Sequence, residues 1–348
     1  VEKRDSKLNS TWTNWDKSKN FSAFITDVSK PAIRAARLRP NTRARYELAL
    51  KQAEAQLGKH AIGEAVKFRT LEHALQAIAT ANGSESARQA RTVVSKYILD
   101  QLIREGVIDH NPLRGISIDL GEVKKGNKPQ GGHALTNAQY DAVVDHLIAR
   151  DTARPLPPGT DRRASSIAKH DNVVALALLQ AGTGLRISEA LAVTRHSVKV
   201  ANGQIAISIT SEQSKTHRGR SIPFLDKRVE KFWLNRLDGL ETTDPLIPSP
   251  GDKKAHWRTD NAVKASAALF KDVGAQLQDN HIALMRSHDW RTVLNNRAIA
   301  RGVPAQVRAA YFGHDVDVNA RNYTDWTDVD AMRGALNLGE ESGTQNGT

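Results

Sequence analysis

Six side chains in the second half of the chain are of the types that could open a phosphodiester without a metal: Arg186, Lys215, His288, Arg291, His314 and Tyr323. A phenolate such as that of Tyr323 can attack phosphorus and store the broken bond as a phosphotyrosine. Two guanidinium groups, Arg186 and Arg291, can grip non-bridging oxygens bidentately, in a fixed planar geometry that lysine does not reproduce. His288 and His314 suit hydrogen bonding to a phosphate or proton movement near neutral pH. Lys215 lies in Ser214-Lys215-Thr216, a turn from which an ammonium can protonate a departing 5′-oxygen. Taken singly, each has an ordinary reading. A tyrosine is usually packed, an arginine solvated or salt-bridged, and His288 could cap the helix that follows it. The order and spacing of all six together point to chemistry.

The residues sit in separated boxes: Thr183-Gly184-Leu185-Arg186-Ile187-Ser188-Glu189, then Glu212-Gln213-Ser214-Lys215-Thr216, then His288-Asp289-Trp290-Arg291, then Tyr311-Phe312-Gly313-His314. Tyr323 follows His314 by nine residues. This series resembles the tyrosine recombinase (phage integrase) family, from about Phe21 to Tyr323. The match comprises its first arginine box, its lysine turn, its H-x-x-R box, its L-G-H box and the usual interval to the nucleophile. The resemblance implies catalytic roles for Arg186, Lys215, His288, Arg291, His314 and Tyr323, with Glu189 as a supporting acidic residue. Trp290 stands where the family usually has Leu, Thr292 where His, Arg or Lys is frequent, and Phe312 where Leu precedes Gly-His. These departures bear on packing around the site, since none falls on a proposed catalytic position.

Other chemistries fit poorly. The sequence has no cysteine, which excludes disulfides, thiolate metal sites and a thiol nucleophile, and fits a reducing cytoplasm. Its 12 histidines are scattered and form no H-E-x-x-H, and no set of convergent carboxylates stands out, so neither a metal site nor a cofactor is expected. The formal net charge of +12 favours a polyanionic partner, nucleic acid first, because neutralising phosphates releases counterions. No apolar run reaches membrane-spanning length, and the opening residues lack the apolar core of a secretory signal.

The elements that must position these residues fall into two domains, as 348 residues exceed one ordinary core. Residues 1–20 read as a polar lead-in. From 21 to 117 the pattern is helical. Tyr46, Leu50, Ala53 and Leu57 share one face after Pro40, and Val94, Tyr97, Ile98 and Leu102 share another after Asn82-Gly83-Ser84. Residues 118–133 read as a linker rich in Gly and Lys. The second domain spans 134–338, opening on a helix capped by Thr136 or Asn137. Val173–Leu179 reads as buried helix, and Pro155–Gly159 as a surface loop. Ile205-Ala206-Ile207-Ser208-Ile209 alternates as a strand, with Ser221-Ile222-Pro223 returning and Lys215–Arg220 in the turn between them. From there the chain reads as mostly helical to about Leu338, and 339–348 as a disordered tail. The fold class is therefore mainly α with a small β-hairpin.

The resemblance adds a two-domain clamp around double-stranded DNA, with an α-helical core-binding domain and a mixed α/β catalytic domain. Arg39, Arg43 and Arg45 on one helix and Arg88, Arg91 and Lys96 on another are the candidate DNA contacts. It also implies a homotetramer on DNA, with the helix Val329–Leu338 packing on a neighbouring protomer. It allows for accessory DNA-bending proteins and implies a cytoplasmic, nucleoid-associated location. Integration and excision of a phage or mobile element is the expected role. The alternatives are a Xer-like chromosome or plasmid dimer resolvase and a catalytically silent DNA-binding regulator. Only about twenty residues precede the first helical domain. Either an N-terminal arm-binding domain is missing or the protein does without one.

Overall fold

A computed structural model describes residues 14–122, 135–156, 163–214, 216 and 218–323, with 321–323 as backbone alone. The chain divides into two compact units, Val1–Gly126 and Asn127–Thr348.

The first unit is helical: α1 (Phe21–Phe24), α2 (Lys30–Ala35), α3 (Pro40–Leu57), α4 (Ile62–Ala65), α5 (Phe68–Asn82), α6 (Ser84–Val94) and α7 (Asp100–Arg104). Single π turns at Ile25–Ser29 and Ser95–Leu99 join α1 to α2 and α6 to α7. Pro40 in the first turn of α3 lacks only a hydrogen that would have no helical partner there. Leu50, Ala53 and Leu57 face the core on α3, and Val94, Tyr97, Ile98 and Leu102 on the later segment. Tyr46 is half-buried, its ring 5.7 Å from that of Tyr97.

Two sequence boundaries need correction. The lead-in does not extend to residue 20. Trp15 packs edge-on against Phe24 at 5.1 Å, and Lys17 and Lys19 accept backbone bonds from Gly63 and Ile62, each at 2.8 Å. A tryptophan ring has too much apolar area to be left in water when a core lies beside it. The linker does not begin at 118 either, because Ile118 and Leu120 are buried in the first core. Arg88 holds the Gly121 carbonyl at 3.0 Å. The rest of that expected linker, 123–133, lies outside the described residues, as do residues 1–13 and 324–348.

The second unit is built around α9 (Ala164–Thr183), buried continuously from Asn172 to Thr183. Packed against it are α8 (Asn137–Ile148), α10 (Ile187–Ala192), α11 (Lys227–Leu237), α12 (Thr259–Gln276) and α14 (Asp289–Ala300). Short α13 (Asn280–Ala283) precedes α14; α15 (Ala305–Phe312) and α16 (Val316–Tyr323) follow it. Thr136 caps α8 in a reciprocal box with Gln139. An antiparallel sheet runs in the order β1 (Val198–Ala201), β2 (Gln204–Ile209), β3 (Arg220–Pro223). Ile207 pairs with Ile222, both buried.

Strand β1 is absent from the sequence reading because only Val198 on it is buried. Arg220 belongs to β3 and not to the turn. The stretch after the hairpin also contains a small two-stranded sheet, β4 (Pro248–Ser249) with β5 (Asp252–His256). Its strands show no apolar alternation, so period-2 patterning is silent there. Side-chain bonds hold the sheet: Asn172 to the Pro248 carbonyl at 2.9 Å, and Lys254 to Glu241 and Asp244. Of the Pro155–Gly159 loop, only Pro155 and Leu156 are described. Among the described residues no helix is long and apolar enough to cross a membrane.

Candidate active site

The first arginine box is a helix-to-helix turn. Helix α9 ends at Gly184 in the left-handed region, φ 63°, a conformation that costs any residue with a Cβ. A Cβ there would also sit 2.7 Å from the Phe312 ring. The chain then reverses into α10, with Arg186 at its N-cap. The Arg186 backbone N–H donates to Glu189 Oε2 at 3.0 Å, and its Nη1 donates to Oε1 at 2.9 Å.

Glu189 is only 1 % exposed, and three guanidinium groups surround it. Arg186 pairs with Oε1, Arg220 Nη2 with Oε2 at 2.9 Å, and Arg291 Nη1 approaches Oε2 at 3.7 Å. Burial alone would raise the carboxyl's pKa, but the charges of Arg220, Arg186 and Arg291 outweigh it and hold it below the ordinary value. One anion among three cations leaves the cluster net positive, which suits an incoming phosphate.

Arg291, 1 % exposed, stands on the first turn of α14. Its Nη1 donates to the Gly184 carbonyl at 2.7 Å, and its Nη2 to the Phe312 carbonyl and, at 2.9 Å, to His314 Nε2. A guanidinium accepts no hydrogen bond, so Nε2 is the acceptor and the ring proton sits on Nδ1. Burial first, then the charges of Arg291, Arg186, Arg220 and His288, push the His314 pKa down to about 2. His314 is thus a neutral imidazole with a donor at Nδ1. Gly313, φ 65°, makes the turn that presents it.

His288 is exposed at the N-cap of α14, with no capping bond from its side chain. Asp289 instead ties the preceding turn by accepting from the Arg286 backbone at 2.8 Å. Lys215 lies outside the described residues. Its neighbour Thr216 donates to the Gly313 carbonyl at 3.4 Å, and Arg218 pairs with Asp315 at 3.0 Å. Helix α16, whose last residue is Tyr323, packs on α14 and α15. The Tyr323 side chain lies outside the described residues.

Arg186, Glu189, Arg291 and His314 therefore meet in one cluster, with His288 close enough to act on His314. Trp290 has turned inward, edge-on to Tyr140 and Phe270, and Phe312 fills the space between Gly184, Arg291 and His314. Among the described residues no three His, Asp or Glu side chains converge as a metal-binding group. The donors of this site are N–H groups.

Three residues here were missed by sequence reading. Gln180, buried, donates to the Leu185 carbonyl at 2.9 Å and accepts from Ser287 at 2.7 Å, joining the Arg186 turn to the residue before His288. Arg220 shares the inward face of β3 with Ile222, and a charge at an inward strand position was the available signal.

In the first unit Arg39, Arg45, Arg88 and Lys96 are exposed, whereas Arg43 and Arg91 are half-buried. Arg43 holds the Ala36 carbonyl at 3.2 Å, Arg45 holds Gln89, and Lys96 lies 5.4 Å from the centre of the Tyr97 ring. Arg91 ties down the 113–116 turn through the Leu113 and Ile116 carbonyls.

A helical second unit that gathers two arginines, a histidine and an acidic residue from these boxes is of tyrosine recombinase type. Residues 161–329 match the model of the Phage integrase family. Among solved structures, the chain resembles a lambda integrase tetramer bound to a Holliday junction. The identity is 15 % and the TM-score 0.59, over 92 % of this chain and 78 % of that one. It also resembles the Tn1549 transposon integrase in complex with transposon right end DNA, at 15 % identity and a TM-score of 0.62. That match covers 92 % of this chain and 99 % of the other. At such identities the likeness is one of fold. No curated protein sequence matches the chain.

Proposed function

We propose that the protein is a site-specific DNA recombinase that integrates or excises a mobile element through a 3′-phosphotyrosine intermediate. The observation that supports this most strongly is the buried Glu189 carboxylate holding Arg186 beside the Arg291–His314 pair. An enclosed cluster with an excess of positive charge suits an anion whose charge grows during reaction. The Tyr323 oxygen bonds to phosphorus as the P–O5′ bond breaks, and Lys215 supplies the proton that leaves with the 5′-hydroxyl. His288, the exposed imidazole, takes the phenol proton. Arg186, Arg291 and His314 hold the non-bridging oxygens, each cation contributing about 3 kcal/mol in a water-excluded site. The 5′-hydroxyl of a partner strand then attacks the phosphotyrosine and releases Tyr323. The energy of the broken bond stays in the covalent link, so the cycle closes without ATP.

A tetramer on two DNA sites, passing through a Holliday junction, would carry out the exchange, as the family and the junction-bound lambda relative suggest. The first unit, through Arg39, Arg45, Arg88 and Lys96, would supply phosphate contacts from a separate helical surface. The test is a suicide duplex built from DNA adjoining the coding sequence. A covalent protein–DNA adduct, lost in Tyr323→Phe, supports the enzyme. Binding without adduct supports a silent regulator, and relaxation of a single duplex without paired sites supports a topoisomerase.

A further inference from the structure

We infer that Arg220 is a positioning residue for strand cleavage, locking Glu189 and the base of the lysine hairpin against the 311–314 turn. The inference rests on the strand-transfer reading above. Arg220 is the first residue of β3, paired with Ile209 at the end of β2. It therefore stands at the mouth of the turn that carries Lys215. Its side chain is 8 % exposed and divides its bonds between two elements. Nη2 donates to Glu189 Oε2 at 2.9 Å, and Nε donates to the Tyr311 carbonyl at 3.1 Å. Nη1 is buried with no hydrogen-bond partner among the described residues, and it lies against Gly313. A Cβ on Gly313 would come within 2.8 Å of it.

Two consequences follow from this geometry. Glu189 Oε2 also faces Arg291 Nη1, at 3.7 Å. With Arg220 bonded to that oxygen, Arg291 stays on the Gly184 carbonyl and His314. Without Arg220, Oε2 keeps only the Arg186 backbone N–H as a hydrogen-bond donor, and its stronger pull on Arg291 draws that guanidinium away from the phosphate. The second consequence concerns the hairpin. Thr216 reaches the Gly313 carbonyl at only 3.4 Å, and the Arg218–Asp315 pair is exposed. Arg220 adds a buried link between that strand pair and the turn presenting His314, beside the Tyr311 hydroxyl that donates to the Pro223 carbonyl at 2.8 Å. An ammonium at this position could reach Glu189, but not Glu189 and the Tyr311 carbonyl together in a planar fork.

The test uses the full chain and a suicide duplex that the wild type cleaves; wild-type adduct formation, lost in Tyr323→Phe, checks the strand-transfer reading separately. Arg220→Gln is expected to keep its DNA dissociation constant while its single-turnover adduct rate falls about 100-fold, the scale of a displaced catalytic group. Arg220→Lys is expected to recover about tenfold of that loss, because it restores the charge without the fork. Adduct formation by Arg220→Gln at the wild-type rate would overturn the inference. So would a loss of DNA affinity and rate together with no recovery in the lysine variant. Should Arg220→Gln fail to fold, Arg220→Lys carries the test alone. A roughly tenfold slower rate at unchanged affinity supports the inference, and a wild-type rate refutes it.

Discussion

Glu189→Gln removes the one anion among Arg186, Arg220 and Arg291, leaving three guanidiniums around a buried neutral amide. Breaking a buried ion pair by neutralising one partner costs about 3–5 kcal/mol. The glutamine carbonyl still accepts one guanidinium bond, which puts the loss at the lower end, about 3 kcal/mol. In a unit the size of residues 127–348 that corresponds to about 6–12 °C in melting temperature. The double variant Glu189→Gln/Arg220→Gln removes one of the newly uncompensated cations, so its loss should be smaller than the sum of the single losses. Thermal unfolding of the four proteins at one pH gives the coupling directly. A Glu189→Gln protein that melts with the wild type, or strictly additive losses, would refute the shared-carboxylate account.

The same group predicts a pH response. The Glu189 pKa is lowered in the folded protein, so its stabilisation is present above the unfolded carboxylate value. It is lost as pH falls through the lower folded value, and Glu189→Gln should flatten that acid limb in pH-dependent melts. For His314 the folded pKa is depressed to about 2, so its contribution is full above the unfolded value and declines as pH falls below it. Its ring resonances should therefore show a neutral Nδ1–H tautomer with no titration between about pH 5 and 8; a midpoint near the ordinary histidine value of about 6.5 would refute the burial argument. Gln180→Leu keeps most of the volume but strips partners from Ser287 and the Leu185 carbonyl. It should cost about 1–3 kcal/mol in denaturant unfolding and slow adduct formation. Thr136→Ala breaks the capping box of α8 and should cost about 1 kcal/mol in the same assay, with cleavage unchanged.

Local order in the chain made the boxes of the candidate site legible before any fold was known. Arg186 and Glu189 are three residues apart, His288 and Arg291 likewise, and helical geometry brings such neighbours onto one turn. The buried faces of α3 and of the α6–α7 segment were equally readable, because apolar side chains repeat with the helical period. Strands β1, β4 and β5 were not, since exposed or irregular strands carry no alternating pattern.

What only the tertiary structure decided is how the boxes are held to one another. Gln180 and Ser287 lie 107 residues apart in sequence, Arg220 and Tyr311 91 apart, and Arg291 and His314 23 apart. No spacing rule relates such pairs, and each is a single polar contact whose partner is chosen by how α9, α14 and β3 pack. Residue types and their order thus marked out the candidate site. The packing of apolar faces, which is blind to that chemistry, determined that three guanidiniums converge on one carboxylate and that the histidine beside them stays neutral.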